Sequence, residues 1–227
     1  MSDNELDEKE PDFFNFSEDL VELPQIKQAG TAALDFDGLL SEELKLHEDL
    51  TNGCGGQLWP AGMVLSKYML RKFGHGGLEN KTIVEIGAGG GLVGLAVAKG
   101  CHGFQAPMYI TDQVNMLELM KQNILKNDLT QLVQAKVYDW GEACPSDMPS
   151  QPDIILAADC VYFEPAFPLL EKTLVDLIGD NSVCYFCFKK RRRADMHFIK
   201  SIKKSFNVTL VDDDPDTPTY SKENISL

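Results

Sequence analysis

Glycines 87, 89 and 91 fall in the stretch Glu85-Ile86-Gly87-Ala88-Gly89-Gly90-Gly91-Leu92-Val93-Gly94, between an apolar strand-like run and a helical one. A chain that leaves a strand, turns sharply and presents main-chain N–H groups at a helix start needs glycine, because a side chain would block both the turn and the ligand. The dinucleotide-binding fingerprint wants glycine at its first, third and sixth positions. Counted from Gly87 the sixth is Leu92, and the spacing here is G-x-G-x-G. Glu85 puts a carboxylate where a pyrophosphate would lie and would repel it, whereas a cationic ligand is tolerated. Asp112 closes a second apolar run, Tyr109-Ile110-Thr111-Asp112, about 20 residues beyond the last glycine, the distance at which an acid reaches a ribose diol. Asp139-Trp140, after a third run, offers an acceptor for an exocyclic amine and an aromatic face for a base. A ribose, an adenine and a positive group together describe S-adenosylmethionine, which is the expected cofactor.

The elements that must hold these residues alternate in type. An antiparallel pair is expected near 33–36 and 44–47, then a glycine-rich turn at Gly53, Gly55 and Gly56 and a helix over 60–73 that opens on Pro60, a residue suited to a first helical turn. Strands follow at 82–86, 108–111, 132–138, 153–158, 182–188 and 208–211. Between them come a helix over 92–99, one with Leu117, Met120 and Ile124 on one face, one with Phe167, Leu170, Leu174, Leu177 and Ile178, and one marked by Ile199, Ile202 and Phe206. Short apolar strands alternating with amphipathic helices imply an α/β fold, a doubly wound and mostly parallel sheet with an N-terminal antiparallel extension. Ligands of such sheets bind outside the carboxyl ends of the strands, where the strand order reverses.

A length of 227 residues with 44% hydrophobic and 25% charged side chains suits one domain, expected over residues 29–227. Residues 1–28 are expected to be an acidic, disordered tail, since Asp3, Glu5, Asp7, Glu8, Glu10, Asp12, Glu18, Asp19 and Glu22 face Lys9 alone up to that point. The formal charge of -14 argues against direct binding of nucleic acid through phosphate neutralisation and favours a basic partner. No apolar run approaches the ~20 residues of a membrane span, and the start of the chain lacks the pattern of a signal peptide. A cytoplasmic monomer with no membrane contact and reduced cysteines is expected.

Several stretches carry a resemblance: "LWPAG" (58–62), "VEIGAGGGLVGLAVA" (84–98), "ITD" (110–112), "DW" (139–140) and "LAADCVYFEPAFPLLEKTL" (156–174). With these the chain resembles the seven-beta-strand S-adenosylmethionine-dependent methyltransferases, in particular methyltransferase family 16, which modifies lysines in proteins. The last of these stretches, with "GCGGQLW" (53–59) and "FKKRRRADMHF" (188–198), looks closest to the fungal elongation factor 1-alpha lysine methyltransferases. The resemblance spans roughly residues 34–206 and implies a Rossmann-like, mostly parallel seven-stranded sheet and a protein substrate, translation elongation factor 1-alpha. The family's cofactor roles would fall on Trp59, Glu85, Gly87, Gly89, Asp112, Trp140 and Ala158. Its D-x-x-Y motif matches Asp159-Cys160-Val161-Tyr162, at the substrate end of the site in relatives, so Asp159 and Tyr162 become the candidate catalytic residues. A plainer role for the same pair is a cap on the next helix and a packed tyrosine. The final antiparallel strand of the family must come here from residues 224–227 or be missing.

Other signals point elsewhere with less force. Cys184-x-x-Cys187 has metal-like spacing, but residues three apart in a strand face opposite ways and no second pair exists, so no metal site is expected. Residues 189–193 are five consecutive basic residues, which suit a solvated loop, an import signal or contact with acidic groups on a substrate. The proline pair expected of an enzyme that methylates amino groups of nucleic acids is replaced by Cys160-Val161. The alternatives to a protein-lysine methyltransferase are a small-molecule methyltransferase and an inactive cofactor-binding adaptor, with a nicotinamide oxidoreductase last because Leu92 breaks its fingerprint.

Overall fold

The computed structural model describes residues 30–49 and 54–227; the acidic leader lies outside them. An antiparallel ribbon, β1 (Gly30–Leu34) and β2 (Leu44–Glu48), stands apart as its own two-stranded sheet. β1 ends before Phe36 because Phe36 and Asp37 turn through left-handed backbone, at φ 55° and 61°. A 3-10 turn at Cys54–Gly56 leads into α1 (Pro60–Phe73), then β3 (Ile83–Ile86), α2 (Leu92–Gly100), β4 (Met108–Asp112), α3 (Leu117–Lys126) and β5 (Val133–Val137). β6 (Ile154–Ala158), α4 (Phe167–Leu177), β7 (Val183–Lys189), α5 (Arg193–Ile202), α6 (Thr217–Lys222) and β8 (Ile225–Ser226) complete the chain.

The main sheet runs β5-β4-β3-β6-β7-β8, parallel throughout except for β8. Its order reverses between β3 and β6, which is where a doubly wound sheet opens a crevice. Alternate residues feed two cores, one on each face. Ile83, Leu156 and Ile110 pack with Leu65 and Met69 of α1 and Leu95 of α2, whereas Val84, Ile86, Ile155 and Ala157 pack with Leu170 and Leu174 of α4 and Phe198 of α5. Cys184 and Cys187 follow the same alternation, Cys187 in the first core and Cys184 against the second.

Two expectations are corrected. The main sheet has six strands among the described residues, because 208–211 is not a strand. The free edge of β7 is taken by β8, whose Ser226 and Ile225 pair with Phe188 and Lys189. Residues 208–211 run beyond it with Leu210 exposed, joined through one bond from Val211 N to Leu227 O at 3.0 Å. The last antiparallel strand thus comes from the final residues of the chain. The helix expected to reach Phe206 stops at Ile202, and Phe206 packs against the second core from outside it.

Candidate active site

The register of the sheet brings the singled-out residues to one level. Ile86 lies beside Thr111 and Ala157, and Asp112 beside Val137, so the chain leaves β3, β4 and β6 around a common point. A cleft of about 910 Å³ opens there, and Trp59, Glu85, Gly87, Gly89, Asp112, Asp139, Trp140, Ala158, Asp159 and Tyr162 all border it. Gly91 sits just behind, as the residue before α2 with φ 88°. Gly89, at φ 56°, passes so close to the 3-10 turn that a Cβ would stand 2.2 Å from Gly55 O. At Gly87 a Cβ would meet Cys160 Sγ and Trp140 Cζ2, each at 2.9 Å. Both positions exclude side chains so that backbone can line the cleft.

Three carboxylates at strand ends are tied to main-chain N–H groups. Neither α1 nor α2 has a side-chain cap of its own. Glu85 supplies one to α2, its Oε2 accepting from Gly94 N at 2.8 Å, and Asp159 supplies one to α1, its Oδ2 accepting from Ala61 N at 3.2 Å. Asp159 is therefore a cap, as its plainer role suggested, but of α1 rather than of the helix that follows it. Asp112 accepts from Gly89 N and Gln113 N, each at 2.7 Å, and so braces the glycine turn.

Burial pushes the Glu85 carboxyl up to about 8, against the bond from Gly94 and aided by the charge of Asp112. Burial also raises Asp112, with the charge of Asp139 adding to it and the bonds from Gly89 and Gln113 opposing it. At neutral pH Glu85 is largely a neutral acid, so its repulsion of a pyrophosphate is weaker than the sequence suggested. A bound cation beside them would favour the ionised form of both acids. With the closed glycine turn, Asp112 after β4 and the half-buried Asp139 and Trp140, the lining fits S-adenosylmethionine.

The mouth holds Tyr162 and Phe163, 50% and 55% exposed, and Arg191. Asp159 adopts φ 51°, is 7% exposed, and pairs with Arg191 at 2.9 Å. Sequence reasoning missed both Arg191 and Asn123 as site residues. Asn123 is fully buried on α3; its Oδ1 accepts from His47 N at 2.7 Å, and its Nδ2 donates to Gly90 O at 2.9 Å and His47 O at 3.2 Å. No spacing rule announces a bond between residues 76 positions apart.

A doubly wound sheet with a glycine turn after β3, an acid after β4 and a wide cleft at the reversal of strand order defines a nucleotide-cofactor enzyme of the methyltransferase type. The profile of the lysine methyltransferase family matches residues 39–205, and the chain belongs to that family. It is similar to protein-lysine N-methyltransferase EFM6 of Saccharomyces cerevisiae, at 37% identity over 95% of this chain and 96% of the yeast protein. It is also similar to protein N-lysine methyltransferase METTL21A of Mus musculus, at 34% identity over 74% and 76% of the two chains. Among solved structures, the T. Thermophilus 16S rRNA N2 G1207 methyltransferase RsmC superposes with TM-score 0.61 at 15% identity, over 88% of this chain and 48% of that one, a likeness of fold. The protein is thus an S-adenosylmethionine-dependent protein-lysine methyltransferase. Among the described residues no helix is long and apolar enough to cross a membrane.

Proposed function

We propose that this enzyme methylates a lysine of translation elongation factor 1-alpha, acting as a cytoplasmic monomer built on one domain over residues 29–227. The observation that carries the site assignment is the Asp159 carboxylate, buried at the end of β6 yet bordering the cleft beside Tyr162. The substrate assignment rests on the resemblance carried by the stretches at 53–59, 156–174 and 188–198. Trp59, Glu85, Gly87, Gly89, Gly91, Asp112, Asp139, Trp140 and Ala158 hold the cofactor, with Asp112 toward the ribose and Asp139 and Trp140 toward the adenine. Bound there, S-adenosylmethionine supplies a methyl group on a positively charged sulfur. Asp159 meets the incoming lysine and orients its nitrogen, and Tyr162 walls the channel. A lysine with pKa near 10.4 costs about 4 to 5 kcal/mol to deprotonate at pH 7, and fixed alignment supplies roughly 7 to 11 kcal/mol. Positioning outweighs deprotonation, so no strong base is required.

The test is incubation of the purified protein with labelled S-adenosylmethionine and an extract of cells lacking it, with mass spectrometry of any labelled band. One band carrying methyl-lysine and identified as elongation factor 1-alpha is expected. Another protein in that band replaces the substrate, and no protein label at all removes the proposal in favour of a small-molecule substrate or an adaptor. Asp159→Asn should lose nearly all transfer while calorimetry still finds cofactor binding; joint loss of both would move Asp159 from substrate contact to scaffold.

A further inference from the structure

Asp159 is unusually well supplied with donors for a residue that has to greet a cation. Its Oδ1 accepts from Lys189 N at 3.1 Å and Arg191 Nη1 at 2.9 Å, and its Oδ2 accepts from Ala61 N at 3.2 Å. A carboxylate offers about four acceptor positions, so one remains, on Oδ2. Arg191 is not a passing surface contact. Its main-chain N–H is fixed by Asp195 Oδ2 at 2.8 Å, and its guanidinium carbon lies 5.3 Å from the centre of the Trp59 ring. The side chain of Asp159 is 5% exposed and that of Arg191 29%, so the charged pair sits mostly out of water at the edge of the cleft.

That arrangement decides which form of lysine the site prefers. A lone buried carboxylate would favour the ammonium and tie up the nitrogen in an N–H bond, raising the pKa of the very group that must lose a proton. A carboxylate already neutralised by a guanidinium has no net charge to offer, and a fixed cation beside an amine favours its neutral form. We propose that Arg191 is a positioning residue that neutralises Asp159, so that the substrate lysine docks as the free amine and donates one N–H to the open position on Asp159 Oδ2. Its lone pair then stays free to form the N–C bond as the S–C bond breaks, with that electron pair left on sulfur. The proton lost from the ammonium goes to solvent before docking, and the product leaves as a methylammonium. The inference rests on Asp159 being the group that meets the amine.

The neighbouring groups leave this pair as the local control of charge. From β7 the Cys187 thiol, and next in the chain the Cys160 thiol, are pushed by burial well above the usual range and stay neutral. Beyond Cys160 lie Glu85 and Asp112 across the glycine turn, and Tyr162 stands at the mouth. Arg192 is paired with Asp195 at 3.1 Å, and α1 presents the uncharged first turn Pro60-Ala61-Gly62-Met63.

The experiment compares Arg191→Met and Arg191→Lys with the parent enzyme, using as acceptor the protein that carries the label in the extract experiment. In Arg191→Met the limb of the kcat–pH profile should move up by about one pH unit or more, because the bound lysine regains its ammonium form, and KM should fall. Arg191→Lys, which keeps the charge, should return the limb toward its original place. A second readout needs no turnover: calorimetry of acceptor binding to protein saturated with the demethylated cofactor, in two buffers of different ionisation enthalpy. The parent should release about one proton per acceptor, since a free lysine is protonated at neutral pH, and Arg191→Met should release far less. An unmoved limb with equal proton release overturns the role of Arg191 even where Asp159→Asn is inactive. An Asp159→Asn variant with full transfer overturns the assignment of Asp159 itself, and the inference with it.

Discussion

At the residue scale the carboxylates are the sensitive points, and Glu85 is the one whose behaviour is easiest to read. Its folded value of about 8 lies above the ordinary 4.5, so the native state holds a proton that the unfolded chain gives up. The stability this group contributes is fully present below the unfolded value and is lost as pH rises through about 8. Between pH 5 and 9 the loss is on the order of 4 kcal/mol at 1.36 kcal/mol per unit. In the cofactor-free protein the unfolding midpoint should therefore fall across that range. Glu85→Gln, neutral at every pH, should flatten much of the fall, the raised Asp112 keeping the rest. Parallel curves for the two proteins in denaturant unfolding would show that Glu85 ionises without penalty. The glycine turn, Asp112 and Asp139-Trp140 were legible in the sequence because each is a local signal at the end of a strand. The Arg191–Asp159 pair was not, since it joins residues 32 positions apart and the charge run containing Arg191 reads equally well as a solvated loop.

Elements were legible where the chain itself marks its boundaries. α1 starts at Pro60 and ends at Phe73 as expected, because proline opens the first turn and glycine follows the last. Residues 208–211 failed the same test for a reason outside their composition. Their apolar content suits a strand, but strands also need an unpaired edge, and β8 occupies the one beside β7. The attachment of the β1–β2 ribbon was equally invisible. Asn123 on α3 and Asn127, which caps its C-terminus, bond the outer edge of β2 as a neighbouring strand would: Asn127 takes Lys45 N at 2.9 Å and gives to Lys45 O at 2.8 Å, and Asn123 does the same for His47. Asn123→Ala should cost about 2 to 4 kcal/mol by orphaning buried main-chain groups, and should weaken cofactor binding as well, because Gly90 O loses its donor. Asn127→Ala should lower stability with little change in cofactor affinity. Unfolding midpoints and calorimetric Kd values on both variants separate the two effects, and equal losses of affinity would deny Asn123 its hold on the turn.

For the whole molecule the question is what keeps the far edge of the sheet closed. β8 is only two residues long, and its support comes from a charged clasp that binds the C-terminal segment to α1. Arg71 reaches Asp214 at 2.8 Å and Asp216 at 2.7 Å, and Lys72 reaches Asp213 at 2.8 Å. The Asp214 side chain is 1% exposed, so Arg71→Ala strands a buried carboxylate. A cost of about 2 to 4 kcal/mol is expected, the lower part of the range allowing for the exposed side of the guanidinium. The variant should also lose amide protection along β7 and aggregate more readily on warming, because an uncovered strand edge recruits other chains. Hydrogen exchange and light scattering check both, and an intact β7 would show that the apolar contacts of Ile225 and Leu227 suffice. At the opposite edge, Asn123 bonds His47 of the ribbon and Gly90 of the glycine turn at once, so one side chain ties the two together. Were ordering of Gly90 to reach His47 through this side chain, then by reciprocity whatever steadies the ribbon would favour the occupied turn.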